Sequence, residues 1–542
     1  MIKIVNKSKK KIGVKTSQKE IWKILLKNRG IKEVDIKAFT KVAEADKLKI
    51  EDFGISKKSF EKSLARIEKA IKNKEKVLIY GDYDVDGITA TAILWLVLKE
   101  KGVEVWPFIP DRQKDGYGLK YESFKRFEKE KNIKFDLLIT VDNGIVAHRQ
   151  IKKIKKEGTD IVIIDHHQKK KEKIKVEGIV HSTKTSASVL SWLMARQIDK
   201  KADLGLASLG AVADCVPLLG VNRRVVYWGL KYIKTKPNPG IKKLLAKAKV
   251  DLNKISSYHM SYIIGPRINA VGRLGDATDA LRLLCSRDQI SLDKYTTKLN
   301  QMNYERQKLQ KGLIKNALIK AKDNQDKVII VIDEKYHLGI IGLIAGRLSQ
   351  EYDLPTIVIS KSKDISKASC RSIKELNIIK SLRQVEDLLV ELGGHKGAAG
   401  FSIETKKIAK FEKKIKHIIN QSLEKYEGEK RIEVEAEMDI EAIDLKMARL
   451  MEKLEPTGID NPKPLFYLKE VELVAKRKIG KDGSHLKMIL SKKMVDGIAF
   501  SQAKIFEKIK TGNKLDMVAS LDVNDWGGRQ KVQLMIKEIV LK

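Results

Sequence analysis

Short apolar runs alternate with amphipathic stretches between residues 76 and 230. Val77 to Tyr80 are apolar and β-favouring and meet Gly81 at once. Ile88 to Leu98 then carry apolar side chains on nearly every face without a breaker. The pair predicts a buried strand, a tight turn and a buried helix. Leu137 to Val141 (LLITV) and Ile161 to Ile164 (IVII) repeat the strand pattern, and Leu204 to Ala213 is an apolar helix-like run ending at Asp214, with Pro217 to stop it. Such alternation predicts a parallel sheet covered on both faces, a domain spanning 76–230. A second α/β unit is predicted over 326–428. It has strands at Lys327 to Ile332 and Pro355 to Ile359, a helix opened by YHLGIIGLIAGRL (Tyr336 to Leu348), a glycine cluster GGHKGAAGF (Gly393 to Phe401) and a lysine-rich helix. Residues 231–325 read as a helical connector, interrupted by the glycines of GPRINAVGRLGDA and continued by one long helix over Leu281 to Lys322. Residues 1–75 read as a helical leader. From 429 to 542, short alternating runs separated by turns such as KDGS and WGGR predict a small antiparallel barrel. The fold class is therefore α/β, two α/β domains joined by a helical connector, with a β-barrel at the C-terminal end.

The polar residues gather where the predicted strands stop. Asp82, Asp84 and Asp86 alternate after the first strand, Asp142-Asn143-Gly144 follows the second, Asp165-His166-His167 follows the third, and Asp214 ends the apolar helix. If the pleat persists, the three alternating carboxylates face one side, at the strand end where open α/β sheets form ligand crevices. Like charges so close repel unless a cation sits among them. The alternative for this turn is a solvated acidic loop whose aspartates cap the next helix. Collected together, Asp82, Asp84, Asp86, Asp142, His166, His167 and Asp214 form an oxygen-rich set with imidazoles, which suits Mn²⁺ or Mg²⁺ better than structural zinc. So many carboxylates can hold two divalent ions, the arrangement that serves hydrolysis of a phosphate ester. The glycine cluster, Gly393, Gly394, Gly397 and Gly400, would let backbone approach a phosphate closely; a plain tight turn is the other reading.

Charge narrows the partners. Lys and Arg number 109 against 70 Asp and Glu in 542 residues, a formal net charge of +39. Part of this reflects lysine spread over the whole chain, but nucleic acid remains the leading class of partner. Three dispersed cysteines, Cys215, Cys285 and Cys370, fit reduced thiols in a cytosol and give neither a disulfide framework nor a zinc pattern. With no run of eighteen apolar residues, a cytoplasmic protein without a membrane partner is expected.

In this order, GDYDVDG, VDNG, DHH and ADCVPL resemble the four motifs of the DHH phosphoesterase superfamily, and GGHKGAAGF resembles the signature of its associated C-terminal domain. Together with PDRQKDGYGL, GPRINAVGRLG, YHLGIIG and LEPTGIDNPKPLF, the pattern is most similar to the superfamily's bacterial single-strand-specific 5′-to-3′ exonucleases, over nearly the whole chain. The resemblance implies metal binding by Asp82, Asp84, Asp86, Asp142, His166 and Asp214, with Asp142 as the bridge and His167 beside the metals to orient or protonate the phosphate. It implies phosphate contacts from Ser369, Arg371 and His395, and a grip on a 5′-terminal phosphate by Arg112, Arg267 and Arg273. The terminal barrel would be an oligonucleotide-binding (OB) fold with Phe466, Tyr467 and Trp526 as stacking candidates. The expected enzyme is a monomer that degrades single-stranded DNA in repair and recombination, with a single-strand-binding protein or a helicase as further partner. A superfamily phosphodiesterase for oligoribonucleotides or cyclic dinucleotides, and a non-catalytic single-strand-binding scaffold, are the alternatives. The sequence departs from the family pattern in a short span between His167 and Asp214, in Tyr336 for a common Trp, in Cys370 for a Gly, and in Thr457 and Asp460 for Phe and Gly.

Overall fold

The computed structural model describes residues 2–540 apart from 113, 171, 427, 429 and 527. It divides into two compact units, one of Ile4–Asn269, Ala277–Thr296 and Ile432–Lys542, the other of Met1–Lys3, Ala270–Asp276 and Thr297–Arg431.

In the first unit, five parallel strands stand in the order Glu104–Phe108, Lys76–Tyr80, Leu137–Val141, Asp160–Asp165, Gly178–His181. Tyr80 pairs with Phe108 on one side and Thr140 on the other, and Val141 pairs with Ile164, so the carboxyl ends lie in step. The central strands are buried on both faces, which is why they read as unbroken apolar runs. The helix Val85–Glu100 packs against the helices Ala187–Ile198 and Leu204–Ala213, and its all-round apolar surface is consumed by that burial.

The 1–75 segment is not one leader. Its helix Lys57–Lys72 lies on the edge strand Gly178–His181. The helix Gln18–Asn28, started by a Ser17–Glu20 capping box, instead buries Ile21, Ile24, Leu25 and Leu26 in the core of the C-terminal barrel.

That barrel runs Phe466–Ile479, His485–Leu490, Val495–Ala499, Arg529–Val540, Lys514–Trp526 and closes back on the first strand. It is not wholly antiparallel as expected: Val495–Ala499 pairs with Arg529–Val540 in parallel. A strand order that cannot be drawn as consecutive hairpins is invisible to short-range alternation. The segment leading into the barrel is fastened to the parallel sheet's helices. Arg223 on the helix Gly220–Thr235 is 3% exposed and donates to the carbonyls of Leu454 (2.7 Å) and Lys453 (3.3 Å). The Leu218 amide donates to Ile459.

The connector differs from expectation in two places. GPRINAVGRLG is the helix Gly265–Leu274, entered through a π-helical turn at Met260–Ile264. Ile268, Ala270 and Val271 are buried, so packing overrides the glycines. The long helix is two helices, Thr278–Cys285 and Gln289–Ala321.

The second unit carries a mixed sheet in the order Leu389–His395, Ala398–Glu404, Ile365–Arg371, Thr356–Ser360, Ile329–Asp333, parallel only in its last pair. The glycine cluster forms the hairpin between the first two strands. Helix Ile408–Ser422 covers this sheet through Phe411, Ile415 and Ile419. Among the described residues, no helix is long and apolar enough to cross a membrane.

Candidate active site

The backbone after the first strand does not continue its pleat. Asp82 follows the strand end; Asp84 is the N-cap of the helix Val85–Glu100, its Oδ1 accepting the Gly87 amide at 3.1 Å; Asp86 lies in the first helical turn. Three carboxylates expected on one side of an extended chain are thus splayed by a strand-to-helix corner. Asp84 fulfils the capping role and remains available on its other oxygen. Asp86 is buried and accepts the amides of Ala187 (2.7 Å) and Ser188 (3.0 Å) at the start of the helix Ala187–Ile198, where the helix dipole favours an anion. A Cβ on Gly210 would lie 2.6 Å from Asp86 Oδ1, so only glycine fits beside this carboxylate.

Asp142 leaves the strand Leu137–Val141 with a φ of 62°, a left-handed conformation that aspartate tolerates, and its amide donates to Ile164 at 3.0 Å. The Asn143 side-chain amide donates to the carbonyls of Gly81 (3.0 Å) and Val141 (2.9 Å), clasping two strand ends. Asp214 is the C-cap residue of the helix Leu204–Ala213.

These elements bring the predicted ligands together. His166 Nε2 stands 3.1 Å from Asp142 Oδ1 and 3.9 Å from Asp86 Oδ2, while its Nδ1 is 3.6 Å from Asp214 Oδ2. Three groups each offer ligand atoms within 4.8 Å of one another: Asp82 with Asp84 and Asp142; Asp86 with His166 and Asp214; Asp142 with His166 and His167. Asp142 and His166 each belong to two of them.

Charge makes the cluster incomplete by itself. Burial, then repulsion from Asp84, pushes the Asp82 carboxyl up to about 8. Burial with Asp86 and Asp84 does the same to Asp214, also to about 8. Asp84 is raised by burial and Asp86, and Asp142 is raised well above its ordinary range by burial and by Asp86, Asp84 and Asp82. Oδ1 of Asp82 and Oδ1 of Asp142 are buried and accept no hydrogen bond, the nearby His166 nitrogen notwithstanding. Unpartnered buried oxygens among mutually repelling carboxylates are what hard divalent cations satisfy, and none of the three groups contains a cysteine, so the residues fit Mn²⁺ or Mg²⁺.

His167 joins one of these groups and also has partners of its own. Its Nδ1 is 2.8 Å from Asp165 Oδ1, and Nε2 is 2.9 Å from the Tyr117 hydroxyl. Burial works against a charged His167, but the Asp165 contact outweighs it and its pKa is raised. Asp165 is raised by burial and lowered further by His167 and by the Ile145 and His167 amides, for a net lowering. Sequence reasoning left Asp165, Tyr117 and Gly210 out of the site. Asp165 had a signal, since it ends a strand as Asp142 does; Gly210 sits inside an apolar helical run and had none.

The expected phosphate-binding residues fall into two sets. Arg112 and Arg267 belong to the unit with the carboxylates. Arg112 is exposed, its guanidinium 5.4 Å from the centre of the Tyr83 ring, and Arg267 donates to Ile263 O at 2.7 Å. Arg273, Ser369, Arg371, Gly394 and His395 belong to the other unit. There Arg273 donates to Gly339 O at 2.9 Å, and Arg371 donates to Cys370 O at 2.8 Å and approaches Ser369 Oγ at 3.4 Å. Gly342, in the first turn of the helix Ile341–Tyr352, faces both side chains: a Cβ there would be 3.2 Å from Ser369 Oγ and 3.3 Å from Arg371 Nη2. Gly394 has a φ of 146° and pairs so closely that a Cβ would meet Ala398 O at 2.5 Å, while exposed His395 accepts the Gly397 amide at 3.2 Å. The stacking aromatics fare worse. Phe466 is fully buried in the barrel core, while Tyr467, next along the strand and so on its other face, is half-buried and donates its hydroxyl to Asp516; the Trp526 side chain lies outside the described residues.

Comparison with known proteins agrees with this geometry. The N-terminal domain model of the DHH family matches residues 76–216, the DHHA1 domain 325–421 and the RecJ OB domain 434–538. The single-stranded-DNA-specific exonuclease RecJ of Bacillus subtilis is 32% identical over 499 residues, covering 89% of this chain and 63% of that protein. Its counterpart in Thermus thermophilus is 30% identical over 486 residues, 87% of this chain and 69% of that one. This chain therefore spans a little under two thirds of the Bacillus protein's length. The crystal structure of RecJ from Thermus thermophilus in complex with Mn²⁺ superposes with a TM-score of 0.80 at 25% identity, over 96% of this chain and 76% of that one. A DHH sheet, a DHHA1 unit and an OB barrel in this order, with relatives alike over nearly nine tenths of its length, place the chain in the RecJ family.

Proposed function

We propose that this chain is a metal-dependent exonuclease that hydrolyses single-stranded DNA from its 5′ end to mononucleotides, in DNA repair and recombination. The observation that carries the reading is the set of three overlapping ligand groups sharing Asp142 and His166 at the carboxyl ends of one parallel sheet. Two divalent ions, Mn²⁺ or Mg²⁺, held by Asp82, Asp84, Asp86, Asp142, His166 and Asp214, would supply the charge that makes water a nucleophile at neutral pH and offsets the charge on the phosphate. Asp142, common to two groups, is the shared ligand. Water adds to phosphorus as the bond to the 3′ oxygen of the terminal nucleotide breaks, leaving a 5′-phosphate on the shortened strand. His167 is kept in one orientation by Asp165, with Nε2 against the Tyr117 hydroxyl, and this fixed imidazole supports a role in orienting or protonating the phosphate. Arg112, Arg267 and Arg273 bind the 5′-terminal phosphate, because a guanidinium stays charged and forks onto paired oxygens; Ser369, Arg371, His395 and the Gly394 backbone receive the following phosphates. A monomeric, cytoplasmic enzyme working with a single-strand-binding protein or a helicase accords with this reading.

The test uses 5′-labelled single-stranded DNA, duplex DNA and RNA with Mn²⁺ or Mg²⁺. Mononucleotides should appear from the single strand, vanish with chelator, and vanish in Asp142→Ala, whose fold persists by circular dichroism. Turnover of a di- or trinucleotide in preference to a long strand would favour the small-substrate phosphodiesterase instead. Metal-independent strand binding without turnover would favour the scaffold.

A further inference from the structure

Two large aromatic side chains stand in the open on the helical segment that leads to Gly265. Tyr258 is 59% exposed and Tyr262 66%. Their rings lie 4.9 Å apart between centroids and 32° from parallel, so they present a nearly continuous aromatic surface to solvent. Lone exposed tyrosines are ordinary; a pair held in register on a rigid support is not.

The support is rigid because its other face is buried. Met260 and Ile264, between and after the tyrosines, are 0% exposed. Ser256 anchors the start through His259, whose Nδ1 accepts the Ser256 amide at 3.1 Å. The π-helical turn at Met260–Ile264 widens the helix here, a device found most often where a helix has been adapted to a ligand.

Position gives the pair its meaning. At one end of the segment, the Ser257 hydroxyl donates to Thr457 O at 2.6 Å, in the stretch that leads into the barrel. At the other end, a Cβ on Gly265 would be 3.9 Å from Ala213 and 3.9 Å from Val85. Ala213 precedes Asp214, and Val85 lies between Asp84 and Asp86. The segment thus runs from the barrel's leading segment to the ligand groups, with both tyrosines on its outward face and Arg267 just beyond.

We infer that Tyr258 and Tyr262 form a stacking platform for unpaired bases, holding a single strand between the barrel and the metal-binding carboxylates. The inference rests on the exonuclease reading above, and it adds a means of selecting single strands: a base enclosed in a duplex has its faces already occupied. Stacking on aromatic rings accepts any base, which suits an enzyme that must traverse arbitrary sequence.

The test compares the full-length protein, in chelator, on oligothymidylate and on an abasic strand of equal length, which keeps the phosphates and removes the rings. The wild type should prefer the thymidylate strand. In the double variant Tyr258→Ala, Tyr262→Ala, thymidylate binding should weaken by about tenfold or more while abasic binding changes little, bringing the ratio of the two dissociation constants towards one. The double Tyr→Phe variant should restore the preference, since the rings and not the hydroxyls act. An unchanged ratio in the alanine variant overturns the platform, as does an equal loss on both strands with an unshifted ratio, which would mark a structural or protein-docking role. If the wild type neither binds nor cleaves single strands, the exonuclease reading itself fails; if it does both and only the ratio stays put, the platform alone fails.

Discussion

The two sheets solve opposite electrostatic problems. The parallel sheet of the first unit ends in buried Asp82, Asp86 and Asp142, carboxylates raised by mutual repulsion or fixed by helix-start amides, and two oxygens find no donor at all. The mixed sheet of the second unit ends in Ser369, Arg371 and His395, with glycines nearby that keep the surface open. One surface gathers carboxylates, and the other gathers a hydroxyl, a guanidinium and an imidazole. On the exonuclease reading proposed above, each surface would take its own kind of ion, divalent cations on the first and phosphate on the second.

The sharpest way to break this contrast is to remove the carboxylate common to two ligand groups. Asp142→Ala should reduce turnover by on the order of 10³-fold or more, measured as mononucleotide release, with little loss of strand binding. Next in size is a pH effect confined to the acidic surface. Asp82 and Asp214 are raised from an ordinary 3.8 to about 8, so the metal-free protein holds protons there at neutral pH that an unfolded chain would release. Their contribution to metal-free stability is therefore present at low pH and lost as pH rises through about 8. A divalent ion must displace those protons, so its affinity by calorimetry should climb by about tenfold per pH unit for each proton released, levelling off above 8. Affinity independent of pH between 6 and 8 would show that these carboxyls are not ligands.

Asp165→Asn should lower turnover by about 10–100-fold without abolishing metal binding, because His167 loses the carboxylate that fixes its orientation. On the basic surface, Arg371→Lys should keep the charge and lose the fork, raising KM by roughly tenfold with kcat nearly intact. The smallest effect belongs to the hairpin: Gly394→Ala should cost about 1–3 kcal/mol in stability, read by thermal unfolding, since its φ and the Ala398 carbonyl both oppose a side chain.

The parallel sheet was readable in the sequence for a definite reason. Strands such as Leu137 to Val141, buried on both faces, appear as uninterrupted apolar runs, and polar residues can follow only where the strand emerges. Asp142 and His166 were found by that logic. The turn after the first strand kept two readings, an extended row of ligands and a helix-capping loop, because period-two alternation and a helix start share the same spacing here; the structure makes Asp84 a cap and Asp86 a helical residue. The helix Gly265–Leu274 was mistaken for a break, since glycine's low propensity is local whereas the burial of Ile268 and Val271 depends on distant chain. Partners far apart in sequence explain the other differences, the helix Gln18–Asn28 within the barrel core and the parallel pairing of Val495–Ala499 with Arg529–Val540. Tyr258 and Tyr262 carried no signal at all, because exposure cannot be inferred from residue type.

Arg223 sets a boundary that a domain diagram would conceal. Its guanidinium sits on main-chain carbonyls of Lys453 and Leu454, and the Gln18–Asn28 helix completes the barrel's interior from the opposite end of the polypeptide. Cutting the gene before residue 429 would not excise a module cleanly: it would strip the cover from a buried cation and leave four N-terminal aliphatic side chains facing water, so a shortened chain has to be trimmed at both ends together.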